Sequence, residues 1–300
     1  MSDRSPTQSA SANRRRTSTI GPTSNRSSAA IIPDRSSSLS VSTDTRSHKL
    51  VLITGATGAI GRATAVAFAK AGKYNLALHY ATANEATREK LLSAIGDVLP
   101  AVIDVALFQS DLSSFEGVRR LHREVVEGFG RGIDILFLNA GITGGKTNPT
   151  CLNDIPIGIF EDVWRMNCAG PILLTQLCAP RMEQQGWGRV VFNSSIAAFT
   201  GGGVGPHYAS SKSAIHGFVH WFGANVAGKG VTVNAVAPAL IDDAAMLGEM
   251  DEGGKKKMTE KIPVGRLGRP EEVAETVLWL VSTGYMTRKI IPVDGGYHPY

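Results

Sequence analysis

From residue 49 onward, short apolar runs alternate with longer stretches whose apolar positions recur every three or four residues. The runs Lys49-Leu-Val-Leu-Ile-Thr54, Asn75-Leu-Ala-Leu-His-Tyr80, residues 105 to 109, residues 133 to 138, Arg189-Val-Val-Phe-Asn-Ser-Ser195 and Val231-Thr-Val-Asn-Ala-Val236 predict strands, and Ile290 to Gly296 a last strand and turn. Runs apolar at nearly every position suit strands covered on both faces of a parallel sheet. Helical spacing is carried by Ala63, Val66, Ala67 and Phe68, by residues 84 to 95, and by Val118, Leu121, Val125 and Val126 after a capping box at Ser113-Ser-Phe-Glu116. It returns over about residues 158 to 184, from Tyr208 through Ile215, Phe218, Val219, Phe222 and Val226, and from Pro270 through Val273, Val277, Leu278 and Leu280. Asn167 followed by Gly170-Pro171 is poor mid-helix chemistry and predicts a kink. Residues 242 to 262 are polar and Gly/Lys-rich and predict a mobile flap. The alternation implies a doubly wound parallel α/β sheet with helices on both faces.

Composition separates the first 48 residues from the rest. They hold fourteen Ser, six Thr and seven Arg, with no Phe, Tyr, Trp, Cys, Lys or Glu. Such a segment has too little apolar surface to offset the entropy of ordering, so 1–48 reads as a disordered extension and 49–300 as one folded domain. The extension carries +4 of the total +5, which leaves the domain nearly neutral and without a nucleic-acid footprint. An Arg- and Ser-rich leader suits a mitochondrial transit peptide, while Asp3, Asp34 and Asp44 and the lack of an apolar stripe weigh against one; the expected compartment is cytoplasmic or mitochondrial. No apolar run reaches the ~18 residues of a membrane span. Cys151, Cys168 and Cys178 have no metal-ligand spacing and read as buried thiols; no metal site is expected.

The first strand leads into Gly55-Ala-Thr-Gly58-Ala59-Ile60-Gly61 and then a helix, an order that offers backbone N–H groups and the positive helix end to a pyrophosphate. The second strand ends at Tyr80 with no acid until Glu85, where an acid would bind a ribose 2′-hydroxyl; this favours NADP(H) over NAD(H). Tyr208 and Lys212 lie four apart on a helix, hence on one face, so the ammonium is expected to lower the phenol pKa. Ser195, at the end of a strand, offers a hydroxyl to a carbonyl oxygen. Taken alone, a Tyr-x-x-x-Lys pair is more often a surface tyrosine and a snorkelling lysine.

In order and spacing these segments resemble the short-chain dehydrogenase/reductase family across residues 49 to 296, a Rossmann-like fold. Thr54-Gly55-Ala-Thr57-Gly58-Ala59-Ile60-Gly61 is similar to its cofactor turn, with Ala59 for a glycine. Asp111-Leu112 is similar to its adenine-contacting pair, and Asn139-Ala140-Gly141 to its fourth-strand signature. Pro238 and Ile241 match the segment against the nicotinamide, and Asn167, Ser195, Tyr208 and Lys212 match the catalytic set. The resemblance implies that Tyr208 protonates a carbonyl as hydride arrives, that Lys212 lowers its pKa and holds ribose, that Ser195 positions the carbonyl, and that Asn167 holds a water. Gly58 stands where NADP-preferring relatives carry a base, Ala239 replaces a glycine, and Asp243 stands where the family often has Thr.

Within the family, Asn234 to Pro238, Gly265-Arg-Leu-Gly-Arg-Pro270 and Val293-Asp-Gly-Gly296 resemble 3-oxoacyl-acyl-carrier-protein reductases of fatty acid biosynthesis. That implies a ketone or acyl thioester substrate, acyl carrier protein as a partner met by Lys229 (the second such position is Gly186), and a homotetramer or homodimer, with which the Ile215 to Val226 stripe, read as core or subunit interface, is consistent. A general secondary-alcohol or polyketide-type ketone reductase and a catalytically silent nucleotide-binding protein are the alternatives.

Overall fold

The computed structural model describes residues 47–100, 102–145, 147–242 and 259–299. Strands β1 (Lys49–Ile53), β2 (Tyr74–Tyr80), β3 (Val105–Gln109), β4 (Ile135–Leu138), β5 (Gly188–Asn193), β6 (Val231–Pro238) and β7 (Ile290–Val293) alternate with helices α1 (Ala59–Ala71), α2 (Glu85–Gly96), α3 (Phe115–Phe129), α4 (Ile157–Trp164), α5 (Gly170–Gln184), α6 (Ala197–Thr200), α7 (Pro206–Val226) and α8 (Pro270–Ser282). The strands form one sheet in the order β3-β2-β1-β4-β5-β6-β7, and every pairing is parallel. Successive β1 side chains point to opposite faces. Leu50 and Leu52 join a core with Leu121, Leu174 and Val219 of α3, α5 and α7, whereas Val51 and Ile53 join Phe68, Leu91 and Leu280 of α1, α2 and α8. The doubly wound expectation therefore holds. The extension up to residue 46 and residues 243–258, which include most of the expected flap and Asp243, lie outside the described residues. Among the described residues no helix is long and apolar enough to cross a membrane.

The expected kink is a π turn, Arg165–Ala169, in which Gly170 N–H donates to Arg165 O, five residues back. Pro171 has no N–H with which to bond Asn167 O, so the helical register slips here instead of breaking. Two other expectations need correction. The cap of α3 is Ser114, accepting from Gly117 N at 3.0 Å, one residue later than the capping box; Ser113 N donates to Asp111 Oδ1 at 2.9 Å. Cys151 is exposed, because it precedes a short turn outside the core, while Cys168 and Cys178 are buried. Ile215, Val219 and Val226 belong to the core, with the partly buried Phe218 and Phe222 packed against it, so the stripe takes the core role of the two its spacing allows.

Two buried polar groups hold the sheet from opposite ends. At the end where the strands begin, the fully buried Asp134 accepts from Leu50 N (2.9 Å), Arg131 Nη2 (2.6 Å) and Gln185 Nε2 (2.9 Å). At the other end His79 of β2 accepts the Gly55 N–H on Nδ1 (3.2 Å) and donates from Nε2 to Ser110 O (2.9 Å), joining the β1 and β3 exits. Burial pushes its pKa down to about 4.

Replacing Asp134 with Ala leaves a guanidinium and a strand N–H without their acceptor, and should cost about 3 kcal/mol in chemical denaturation. Because the His79 pKa falls on folding from an ordinary 6.5, the neutral ring's contribution is fully present above that value and is lost as pH falls. Stability should decline between about pH 6.5 and 4 by about 3 kcal/mol from this group, and His79→Leu should flatten that part of a denaturation-versus-pH curve.

Candidate active site

The site lies at the carboxyl ends of the strands, where the strand order reverses between β1 and β4. Thr54 leaves β1 buried, its hydroxyl accepting from Asn139 N (2.9 Å) and Ala140 N (3.0 Å). Asn139 returns the link, donating from Nδ2 to Thr54 O (3.0 Å) and Gly55 O (3.1 Å). Gly55 sits at φ +66°, and a Cβ on Gly61 would lie 2.2 Å from Gly55 O, so the turn and helix touch only because both are glycine. The start of α1 has no side-chain cap and no acid in its first turn, whereas α2 and α3 are capped by Asn84 and Ser114 and begin with Glu85 and Glu116. Its first N–H groups are thus open to an anion, as a dinucleotide pyrophosphate requires. Thr57, Gly58, Ala59 and Ile60 surround that opening.

Tyr80 is buried at the end of β2, and Arg88, one turn into α2, lies 5.8 Å over its ring with Nη1 3.3 Å from its hydroxyl. Asp111 is exposed, and its Ser113 hydrogen bonds hold its carboxyl below the usual range. Leu112 and Ile241 are core residues, and a Cβ on Gly268 would lie 2.7 Å from Ile241 Cδ1; their side chains are used in packing, leaving only backbone for a ligand. Pro238 O accepts from Ile196 N at 3.0 Å, fixing the residue after Ser195 to β6.

The four expected catalytic residues converge. The Ser195 hydroxyl lies near enough to the Tyr208 hydroxyl to favour its charged form, and Lys212 Nζ lies 5.7 Å from the Tyr208 ring centre. A Cβ on Gly141 would be 3.0 Å from Asn167 Oδ1 and 3.4 Å from Lys212 Nζ, so this glycine is where the two side chains meet. The electrostatics differ from expectation. Burial pushes the Tyr208 phenol up to about 12, outweighing the Ser195 hydroxyl that lowers it. Burial also pushes Lys212 down to about 8, and its ammonium donates to Asn193 O at 2.6 Å. Desolvation disfavours both charged forms more than their proximity favours them. Asn167, 1% exposed, accepts from Ile142 N (2.8 Å) and donates to Ile142 O (2.9 Å) and Ser211 Oγ (3.1 Å), clamping the chain after Gly141.

Sequence reading passed over Asn193, His79 and Arg88. Asn193 donates to Asn139 Oδ1 at 2.9 Å, and its own Oδ1 is buried without a partner among the described residues. Polar residues inside or ending apolar strands are the sequence signal for Asn193 and His79; Arg88 stands one helical turn beyond Glu85, too far along the chain for local pattern to connect it with Tyr80. A hollow of about 660 Å³ runs along Pro206, Ala209, Ser210 and Ser213 of α7, and none of the four residues lines it. Lys229 and Gly186 are not at the site entrance. They flank the starts of β6 and β5, at the opposite end of the strands, where Lys229 pairs with Glu183 at 2.5 Å.

Residues 55–298 match the family model described as Enoyl-(Acyl carrier protein) reductase. The chain is 36% identical over 253 residues to the 3-oxoacyl-(acyl-carrier-protein) reductase FabG of Aquifex aeolicus, covering 83% of this chain and 96% of that one. It is 33% identical over 256 residues to the uncharacterized oxidoreductase YmfI of Bacillus subtilis, covering 84% and 99%. Among solved structures it is similar to levodione reductase (TM-score 0.75, 29% identity, covering 83% and 96%) and to the NADH-dependent reductase A1-R′ responsible for alginate metabolism (TM-score 0.73, 29% identity, covering 85% and 99%). With the turn, the sheet order and the Asn-Ser-Tyr-Lys cluster in register, the chain belongs to the short-chain dehydrogenase/reductase family.

Proposed function

We propose that this protein reduces a ketone to a secondary alcohol with NADPH, and that the ketone is a 3-oxoacyl thioester. The observation that carries the reading is the neighbouring Ser195 and Tyr208 hydroxyls beside Lys212, at the mouth of a glycine-rich turn whose helix end is open to a phosphate. A bound nicotinamide dinucleotide supplies hydride. Two hydroxyls at one point suit a carbonyl oxygen: Ser195 orients it and Tyr208 gives it a proton. The high phenol pKa keeps that proton on Tyr208 until the oxygen gains charge. The Lys212 ammonium, charged below about pH 8, then stabilises the phenolate until solvent returns a proton.

The preference for NADPH rests on Tyr80 in place of an acid and on Arg88, which brings a positive charge to the end of β2. The FabG relatives support the 3-oxoacyl thioester. Acyl carrier protein remains the expected carrier, although Lys229 is neutralised by Glu183 and lies at the far end of the strands. That position and the likeness to levodione reductase favour a simple cyclic or aliphatic ketone as the second reading. We read the assembly as a homotetramer or homodimer, with Trp221 of α7 and Ile157 of α4, 66% and 75% exposed, as the available apolar surface.

Mixing the protein with NADPH and a 3-oxoacyl thioester should consume NADPH absorbance, with simple ketones and a 2-enoyl thioester as comparison substrates. Tyr208→Phe should lower kcat by about 100-fold or more while NADPH still binds by fluorescence; retention of most activity would show that another group is the acid. NADPH bound with no turnover of any substrate would favour a binding protein. Arg88→Glu should raise the Kd for NADPH about tenfold, the size of one charge-assisted contact, and leave that for NADH nearly unchanged.

A further inference from the structure

Three consecutive residues at the end of β5 each grip α7. Asn193 O accepts from Lys212 Nζ at 2.6 Å, the Ser195 hydroxyl neighbours that of Tyr208, and Ser194 Oγ lies 2.8 Å from His216 Nε2 and 3.4 Å from Lys212 O. Tyr208, Lys212 and His216 are spaced by four, so they form a row along one helix face. Two of these grips belong to the proposed chemistry. The third, Ser194 with His216, has no part in it.

Ser194 is 3% exposed, and its hydroxyl has one hydrogen to give. Lys212 O can only accept, so both contacts are made when Ser194 donates to that carbonyl and His216 Nε2–H donates to Ser194. Burial, followed by the charge of His220, pushes the His216 pKa down to about 4, so the ring is neutral and carries a single N–H. Phe199 of α6 lies against the same imidazole, ring centres 4.8 Å apart, and His298 also meets Phe199, edge-on at 5.0 Å. His216 therefore holds the residue before Ser195 directly and the helix after it through Phe199. The main-chain N–H groups of this stretch, Ser194 N to Val236 O (2.8 Å) and Ile196 N to Pro238 O (3.0 Å), tie it to β6, while Lys212 and Ser213 of α7 donate to Asn193 O (2.6 Å) and Ala198 O (2.7 Å) on either side of it.

We propose that Ser194 and His216 are a positioning pair that sets the separation of the Ser195 hydroxyl from the Tyr208 hydroxyl. The proposal rests on the ketone-reductase reading. Neither residue reaches the reacting atoms; they act by locking a strand end to the helix that carries the acid, and a misplacement of about 1 Å at such a point costs up to about 100-fold in rate.

The test uses the full chain with Ser194→Ala, His216→Leu, His216→Gln and the double variant Ser194→Ala/His216→Leu. Each of the first two should lower kcat about tenfold, with KM and NADPH Kd within about two-fold of wild type. The double variant should be no slower than the slower single, because both remove one shared interaction. Gln, which keeps an N–H donor, should recover most of the loss. Unchanged kcat per folded molecule in both singles, or losses that multiply in the double, would overturn the pairing whatever happens to Tm. Absence of turnover in wild type would count against the reductase reading instead. The pair would then be read from the Tyr208 phenol titration in ultraviolet difference spectra blanked with Tyr208→Phe. Displacement of the Ser195 hydroxyl should move that titration upward in His216→Leu, and an unmoved titration would again overturn it.

Discussion

The site hangs on one hydroxyl. Where the strand order reverses, β1 and β4 diverge, and Asn139 and Ala140 leave the sheet with N–H groups beyond the ladder, of which only Asn139 N finds a strand carbonyl, Phe137 O at 3.2 Å. Thr54 takes both, and Asn139 answers by bonding two carbonyls of the β1 exit. The link continues through Asn193 to Lys212, so the phosphate-facing turn and the proton-transfer group belong to one hydrogen-bonded chain. Buried polar groups of this kind are costly when half satisfied and rigid when complete, which suits a site that must hold hydride donor and acid in register.

Much of this was legible before any coordinates. Strand positions followed from apolar runs, because a parallel sheet with helices on both faces leaves few polar positions inside a strand. The glycine turn and the catalytic set followed from spacing, since contacts within one turn or one helix are fixed by local geometry. What sequence could not give were relations across elements: Arg88 reaching back to Tyr80, Asn193 reaching sideways to Asn139, and Lys229 falling at the wrong end of its strand. Those depend on how the layers are stacked, and no local pattern encodes them.

The sign of the Tyr208 shift is the most instructive difference. Four-residue spacing predicts attraction between ammonium and phenolate, but spacing says nothing about water. With Tyr208 and Lys212 both 3% exposed, loss of hydration dominates, and each group is driven towards its neutral form. For reduction this is the useful direction, because the acid must still hold its proton when substrate arrives.

The π turn shows what it costs to serve two registers at once. Helix α4 is set against α7, where Trp164 Nε1 donates to Ser210 Oγ at 3.0 Å, while α5 is set against the sheet through Leu174 and Met182. The extra residue between them lets each half keep its own alignment. Deleting one residue there would mend the helix, yet it would rotate one half by about 100° relative to the other. Asn167 would then leave Ile142, or Trp164 would leave Ser210. The defect is thus the joint that allows one continuous helix to face two neighbours, and a more regular helix would be a worse fit.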